Sequence, residues 1–136
     1  MAQLHLKIVT PEKIIIDEPV DMVTLTTSEG EIGVLPHHAA LMAKLEPGEL
    51  RIKNKGKTEI LATGDGFIQC ADNVLTILTD LAVSEEDIDE KKVEEARKRA
   101  ESALEQKLSD EEYAETLAVL EKSLAQLRIK RRHRAR

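Results

Sequence analysis

The sequence predicts an α+β fold in which an antiparallel β-sandwich, a flattened barrel over residues 1–84, is followed by an antiparallel two-helix hairpin over residues 85–136. Three observations carry this expectation. Up to about Ala82, short apolar runs alternate with polar residues at a period of two, the pattern of strands with one face in a core. Turn-prone groups divide these runs at short intervals. After Ser84, Pro and Gly vanish, Ala, Glu, Lys, Arg and Leu dominate, and apolar residues recur every three or four positions.

The elements follow in order. Leu4, Leu6 and Ile8 alternate with polar neighbours until Pro11 interrupts them. Further strands are predicted at 13–17, 20–27, 40–45, 49–54, 57–63, 66–70 and 74–79, set apart by turns such as Glu29-Gly30-Glu31, Glu46-Pro47-Gly48 and Asn54-Lys55-Gly56-Lys57. Asp87, with Glu90 three residues on, reads as a capping box opening a helix over about Ile88–Lys107. Ser109 with Glu112 is a second box, opening a helix over about Asp110–Ile129 that carries Tyr113, Leu117, Leu120, Leu124 and Leu127 as one stripe. The stripe would face Val93, Ala96, Ala100, Ala103 and Leu104. These are mostly small side chains, and burial yields only about 0.8 kcal/mol per methylene-sized group. Isolated helices of this length are marginal in water, so the hairpin is expected to open or to detach from the sandwich.

Composition narrows the function. Phe67 and Tyr113 are the only aromatic residues in the 136-residue chain, so the core must be aliphatic and no stacking platform for single-stranded nucleic acid exists. Cys70 has no second cysteine to pair with, which suits a reducing, intracellular setting and a buried structural thiol. No charged leader precedes an apolar run, and no stretch approaches the roughly 20 apolar residues that span a bilayer, so a soluble or peripheral protein without membrane insertion is expected. The net charge of −6 is uneven, because residues 128–136 hold six basic residues (Arg128, Lys130, Arg131, Arg132, Arg134 and Arg136) and no acidic one.

No Ser/His/Asp or Cys/His arrangement, phosphate-binding loop or dinucleotide fingerprint is present, so nothing supports an isolated enzyme. His37 and His38 are adjacent on an extended segment and point to opposite faces, which does not make a metal site, and no catalytic or metal residue is assigned. The basic tail alone would allow a free-standing module attracted to nucleic acid or anionic lipid. The acidic sandwich and the absence of aromatics in the tail argue against that reading.

The run Gly30-Glu31-Ile32-Gly33-Val34-Leu35-Pro36-His37-His38-Ala39-Ala40-Leu41 closely resembles the signature of ATP synthase epsilon subunits, with Ala40 where proline is usual. In residue terms Gly30 and Gly33 would permit tight turns, and Pro36 would fix a loop beside His38. Leu45-x-Pro47-Gly48-x-Leu50, Gly64-Asp65-Gly66-Phe67-Ile68 and Asn73-Val74-Leu75-Thr76-Ile77-Leu78 extend the resemblance through the sandwich, and Ile88-Asp89 and Ala125-x-Leu127-Arg128 extend it through the helices.

The resemblance implies a non-catalytic rotor subunit of a rotary, proton-transporting ATP synthase, peripheral to the cytoplasmic face of a bacterial membrane. Its sandwich would dock on the gamma subunit and the ring of c subunits. Its hairpin would either fold down or extend into the alpha/beta head and inhibit ATP hydrolysis, with Arg128, Lys130, Arg131 and Arg132 facing an acidic beta-subunit segment. Some relatives bind ATP on the folded hairpin. The matching positions here are Ile88, Asp89, Lys92, Arg99 and Lys122, and the motif is degraded. Lys92 stands for arginine and Val93 for alanine, while Val83 and Gln126 replace an acidic and a basic residue. A planar guanidinium fork becomes a point charge, so ATP binding is expected to be weak or absent and no other cofactor is implied.

Overall fold

A computed structural model describes the backbone of residues 2–134 and the side chains of residues 2–132. Among the described residues ten strands precede two α-helices: β1 (Leu4–Val9), β2 (Ile14–Val20), β3 (Met22–Thr27), β4 (Gly30–Val34), β5 (Leu41–Leu45), β6 (Gly48–Asn54), β7 (Lys57–Thr63), β8 (Gly66–Ala71), β9 (Val74–Thr79), β10 (Ala82–Ser84), α1 (Glu90–Leu104) and α2 (Asp110–Arg134). The sandwich and the two helices that follow it are therefore as the sequence predicts.

The strands hydrogen-bond in the order β10-β7-β6-β3-β5-β8-β9-β1-β2, with β4 on β3. Two layers result, joined at a narrow seam where Thr27 of β3 meets Leu45 of β5. The chain turns between layers at Glu46-Pro47, so β5 and β6 use different stretches of β3. Ladders are antiparallel except β1 on β9, which runs parallel from His5 opposite Val74 to Val9 opposite Leu78.

Alternation decides what lies inside. Leu4, Leu6 and Ile8 of β1, Val23 and Leu25 of β3, Leu50 and Ile52 of β6, and Leu75 and Ile77 of β9 point inward and are almost fully buried. The core they share with Val20, Val34, Leu45, Leu61, Ile68 and Cys70 contains no aromatic ring. Aliphatic burial at roughly 25 cal/mol per Å2 suffices here because both layers contribute large branched side chains.

Two strands are absent from the sequence reading. β4 falls where the sequence suggests a turn, because Gly30 and Gly33 lie within it. Only Gly30 has positive φ, at 114°, whereas Gly33 sits within the ladder opposite Thr24. β10 is a three-residue edge strand on β7, too short for periodicity to register. The expected strand 20–27 is broken at Asp21, whose carboxylate accepts from the Lys55 backbone N–H at 2.8 Å and from Gln3 Nε2 at 3.1 Å. These bonds hold its carboxyl below the ordinary value, the Lys55 N–H contributing most.

The helices also differ at their ends. α1 begins two residues later than expected because Asp89, not Asp87, is its N-cap, accepting from the Lys92 backbone N–H at 3.1 Å. Residues 85–87 form a 3-10 turn instead. The Ser109 and Glu112 box forms as expected, Glu112 N–H donating to Ser109 Oγ at 3.1 Å and Ser109 N–H to Glu112 Oε1 at 3.2 Å. That pair holds the Glu112 carboxyl low.

Candidate functional site

Two surfaces stand out, one on each outer face of the sandwich. On the layer β5-β8-β9-β1-β2, strand register lines up Phe67, Leu78, Val9 and Ile14 as direct cross-strand neighbours. All four lie on the outward face, Phe67 64%, Leu78 51% and Ile14 53% exposed. Lys44 continues the row beyond Phe67, and Met42 is exposed one pair along from Lys44 on the same face. An unbroken apolar row across four strands is the kind of patch that monomeric proteins cover with a partner.

The opposite face is covered from within the chain. Ala62 of β7 lies between Glu49 of β6 and Val83 of β10, all facing outward. Ile129 of α2 and Ile88 pack on Ala62 in a second, smaller core with Ile60, Val83 and Val93 at its margin. Ala125, one turn before Ile129, is buried on the same side of α2, while Ser123 and Leu127 are buried on the nearly opposite side. Two buried sides explain a departure from the expected stripe: Leu127 is buried, but Tyr113 and Leu124 are exposed. Near its C-terminal end α2 is thus wedged between sandwich and α1, whereas its N-terminal half is held chiefly by α1.

Polar contacts frame this seam. Lys122 Nζ pairs with Asp80 Oδ2 at 2.9 Å, and Gly64 leaves the room, since a Cβ there would lie 2.1 Å from Asp80 Oδ1 and 2.9 Å from Lys122 Cδ. Lys130 Nζ donates to the Glu85 carbonyl at 3.1 Å. Arg131 reaches back to the start of α1, with Nε 3.0 Å from Glu90 Oε1 and Nη2 2.8 Å from Glu94 Oε2. Arg132 pairs with Oε1 of Glu49, whose Oε2 is 2.6 Å from Arg51, and Arg51 in turn lies 2.9 Å from Glu31 on β4. Arg128 lines a shallow groove with Glu46, Pro47, Glu121 and Leu124. Arg97, first, and then Arg131 hold the Glu94 carboxyl below its ordinary value, and Glu90 and Glu94 raise Arg131 correspondingly. The antiparallel hairpin makes this pairing natural: it sets a cationic C-terminal end against an acidic N-terminal one, the arrangement each helix dipole favours.

Of the residues matched to ATP binding, Ile88 is buried as packing and Asp89 is occupied as the cap of α1. Lys92 gives its backbone N–H to that cap. Arg99 lies ten residues beyond Asp89, roughly 15 Å along the helix, in a groove with Ala96, Ala100, Thr116 and Val119. Lys122 is turned to Asp80.

In the signature segment, Pro36 and His38 lie in the loop between β4 and β5, where His37 has φ of 64°. His38 Nδ1 donates to the Ala39 carbonyl at 2.7 Å. Asn73, which the sequence marks only as part of the resemblance, fixes this loop. Its Oδ1 accepts from the His37 N–H at 2.8 Å, and its Nδ2 donates to the Gln3 carbonyl at 2.8 Å. Glu49 was missed as well, and its signal was indirect: Ile60, Ala62 and Val83 are apolar at outward strand positions, which says that something covers that face.

Comparison with known proteins agrees with this architecture. Residues 3–85 match the family model of the ATP synthase delta/epsilon chain β-sandwich domain, and residues 86–131 match that of its long α-helix domain. The ATP synthase epsilon chain of Nitratidesulfovibrio vulgaris is 39% identical over 127 residues, covering 93% of this chain and 95% of that one. That of Chloroflexus aggregans is 38% identical over 131 residues, covering 96% and 94%. Among solved structures, a chain in the mitochondrial ATP synthase OSCP/F1/c-ring assembly of Euglena gracilis superposes with a TM-score of 0.76 at 31% identity, covering 92% of this chain and 79% of that one. With both of its parts matched in order and relatives aligned along nearly its whole length, the chain belongs to the ATP synthase delta/epsilon chain family.

Proposed function

We propose that this chain is the epsilon-type central-stalk subunit of a rotary, proton-transporting ATP synthase, seated on the gamma subunit and the ring of c subunits and turning with them at the cytoplasmic face of a bacterial membrane. It does no chemistry itself. Its rigid sandwich transmits rotation, and its hairpin, when extended toward the alpha/beta head, inhibits ATP hydrolysis through Arg128, Lys130, Arg131 and Arg132.

The apolar row Phe67–Leu78–Val9–Ile14 carries the docking part of this reading, because the hairpin covers the other outer face and leaves this one for a partner. The thin seam of Ala62, Ile88 and Ile129 supports the mobile part, since three modest contacts bind far less strongly than the 15 side chains of the main core. ATP is bound weakly or not at all, because Asp89 and Lys122 already have partners within the fold. Calorimetry showing tight, saturable binding that Asp89→Ala abolishes would overturn that point.

The test is ATP hydrolysis by an epsilon-depleted head that retains gamma. Full chain should bind and inhibit; a version ending at Ser84 should bind without inhibiting. The Phe67→Glu/Leu78→Glu variant, altered only at exposed positions, should bind at least about tenfold more weakly, a loss of about 1.4 kcal/mol. Unchanged binding by that variant would remove the docking assignment, and equal inhibition by full and shortened chains would remove the hairpin's role.

A further inference from the structure

Two cations near the end of α2, Arg131 and Arg132, face acidic partners within their own chain. Arg131 is bracketed by Glu90 and Glu94 at 3.0 and 2.8 Å, and Arg132 is paired with Glu49. Glu49 is no ordinary surface carboxylate. Its side chain is 9% exposed, it stands beside Ala62 under α2, and its second oxygen is held by Arg51, itself anchored by Glu31. The carboxylate is oriented by the sandwich before the tail arrives, so docking Arg132 orders fewer side chains than an exposed pair does.

We propose that Glu49, with Glu90 and Glu94, is an internal receptor for the tail: the folded hairpin is locked by the same arginines that the extended hairpin would present to an acidic partner. The two uses are exclusive. While Arg131 and Arg132 are engaged at the seam their charge is neutralised, and release of the hairpin both breaks the lock and exposes the cations. Glu49 then remains compensated by Arg51, so opening leaves no isolated carboxylate at the edge of the sandwich. The second use of the arginines rests on the inhibitory reading given above; the lock itself does not.

The lock separates the effects of two charge neutralisations. Glu49→Gln removes the receptor and leaves the tail intact, so the hairpin opens more often and inhibition becomes stronger. Arg132→Gln opens the hairpin equally but subtracts an inhibitory charge, so inhibition does not gain.

The opening is measured on the full chain carrying Ala125→Cys, whose position is buried on the sandwich side of α2, by the rate of thiol labelling. Native Cys70, buried in the sandwich, reports global unfolding in the same sample. Glu49→Gln and Arg132→Gln should each accelerate labelling at position 125 by about 2- to 5-fold, the range of a modest ion pair, with Cys70 unchanged. The double variant should be no faster than either single one, since both remove the same contact. Raising salt should accelerate the parent and have less effect on the Glu49→Gln chain.

Unchanged labelling, additive effects in the double variant, or parallel acceleration at Cys70 would each overturn the lock. Stronger inhibition by Glu49→Gln together with weaker or equal inhibition by Arg132→Gln completes the case. If labelling behaves as expected while no chain inhibits hydrolysis, the inhibitory reading fails and the lock stands.

Discussion

Asn73 shows how a single side chain can set a whole end of the sandwich. It adopts φ of 63°, in the left-handed region that asparagine tolerates better than most residues, and it clamps the His37 N–H to the Gln3 carbonyl. Replacing it with alanine discards two hydrogen bonds and retains the unfavourable φ, so Asn73→Ala should destabilise the chain by about 2–3 kcal/mol in urea unfolding. Asn73→Gly relieves the backbone but not the lost bonds, and should fall between the two. Equal stability of all three would show that the clamp contributes nothing. A different kind of constraint acts at Gly66, where a Cβ would lie 1.9 Å from the Leu78 carbonyl oxygen. The conflict there is with backbone, which cannot turn aside as the Met22 side chain can beside Gly33.

At the scale of elements, legibility followed the strength of the local signal. Alternating Leu4, Leu6 and Ile8 and the Ser109–Glu112 box were plain in the sequence, because each is decided by neighbours a few residues apart. β4 was not, since its glycines resemble turn punctuation when the neighbouring strand β3 is out of view. The cap at Asp89 was displaced from Asp87 because Ile88 is drawn into the small core with Ala62 and Ile129, a tertiary demand that no capping pattern reveals. Arg131 and Arg132 are legible as part of a charged run, yet their partners Glu90, Glu94 and Glu49 are not, being up to 83 residues away. The capping box allows a direct check. Ser109→Ala removes the acceptor for the Glu112 N–H and should lower hairpin stability by about 1 kcal/mol. Hydrogen exchange in the first turn of α2 should accelerate while the sandwich amides keep their rates; an unchanged first turn would mean that packing alone fixes the helix start.

For the whole molecule, acid should separate the two parts. Glu94 and Glu112 both have folded values below the ordinary glutamate value of 4.5. Each therefore contributes stability that is fully present above 4.5 and lost as the pH falls through its lowered folded value. Both belong to the hairpin, and Glu94 is also a partner of Arg131 across it. Hydrogen exchange corrected for intrinsic rates should then show α1 and α2 loosening at a higher pH than the strands, and simultaneous loss would contradict this. Chain order adds a consequence of the parallel β1–β9 ladder. Leu6 meets Leu75, so the first strand of the sandwich must wait during synthesis for nearly its last strand before its second edge is covered. Until then β1 and β2 present an apolar, open-edged ribbon. The hairpin, made after the sandwich and closed by local contacts, finds a finished surface on which to lie, so nascent chains stalled before β9 are the ones that chaperones should hold longest.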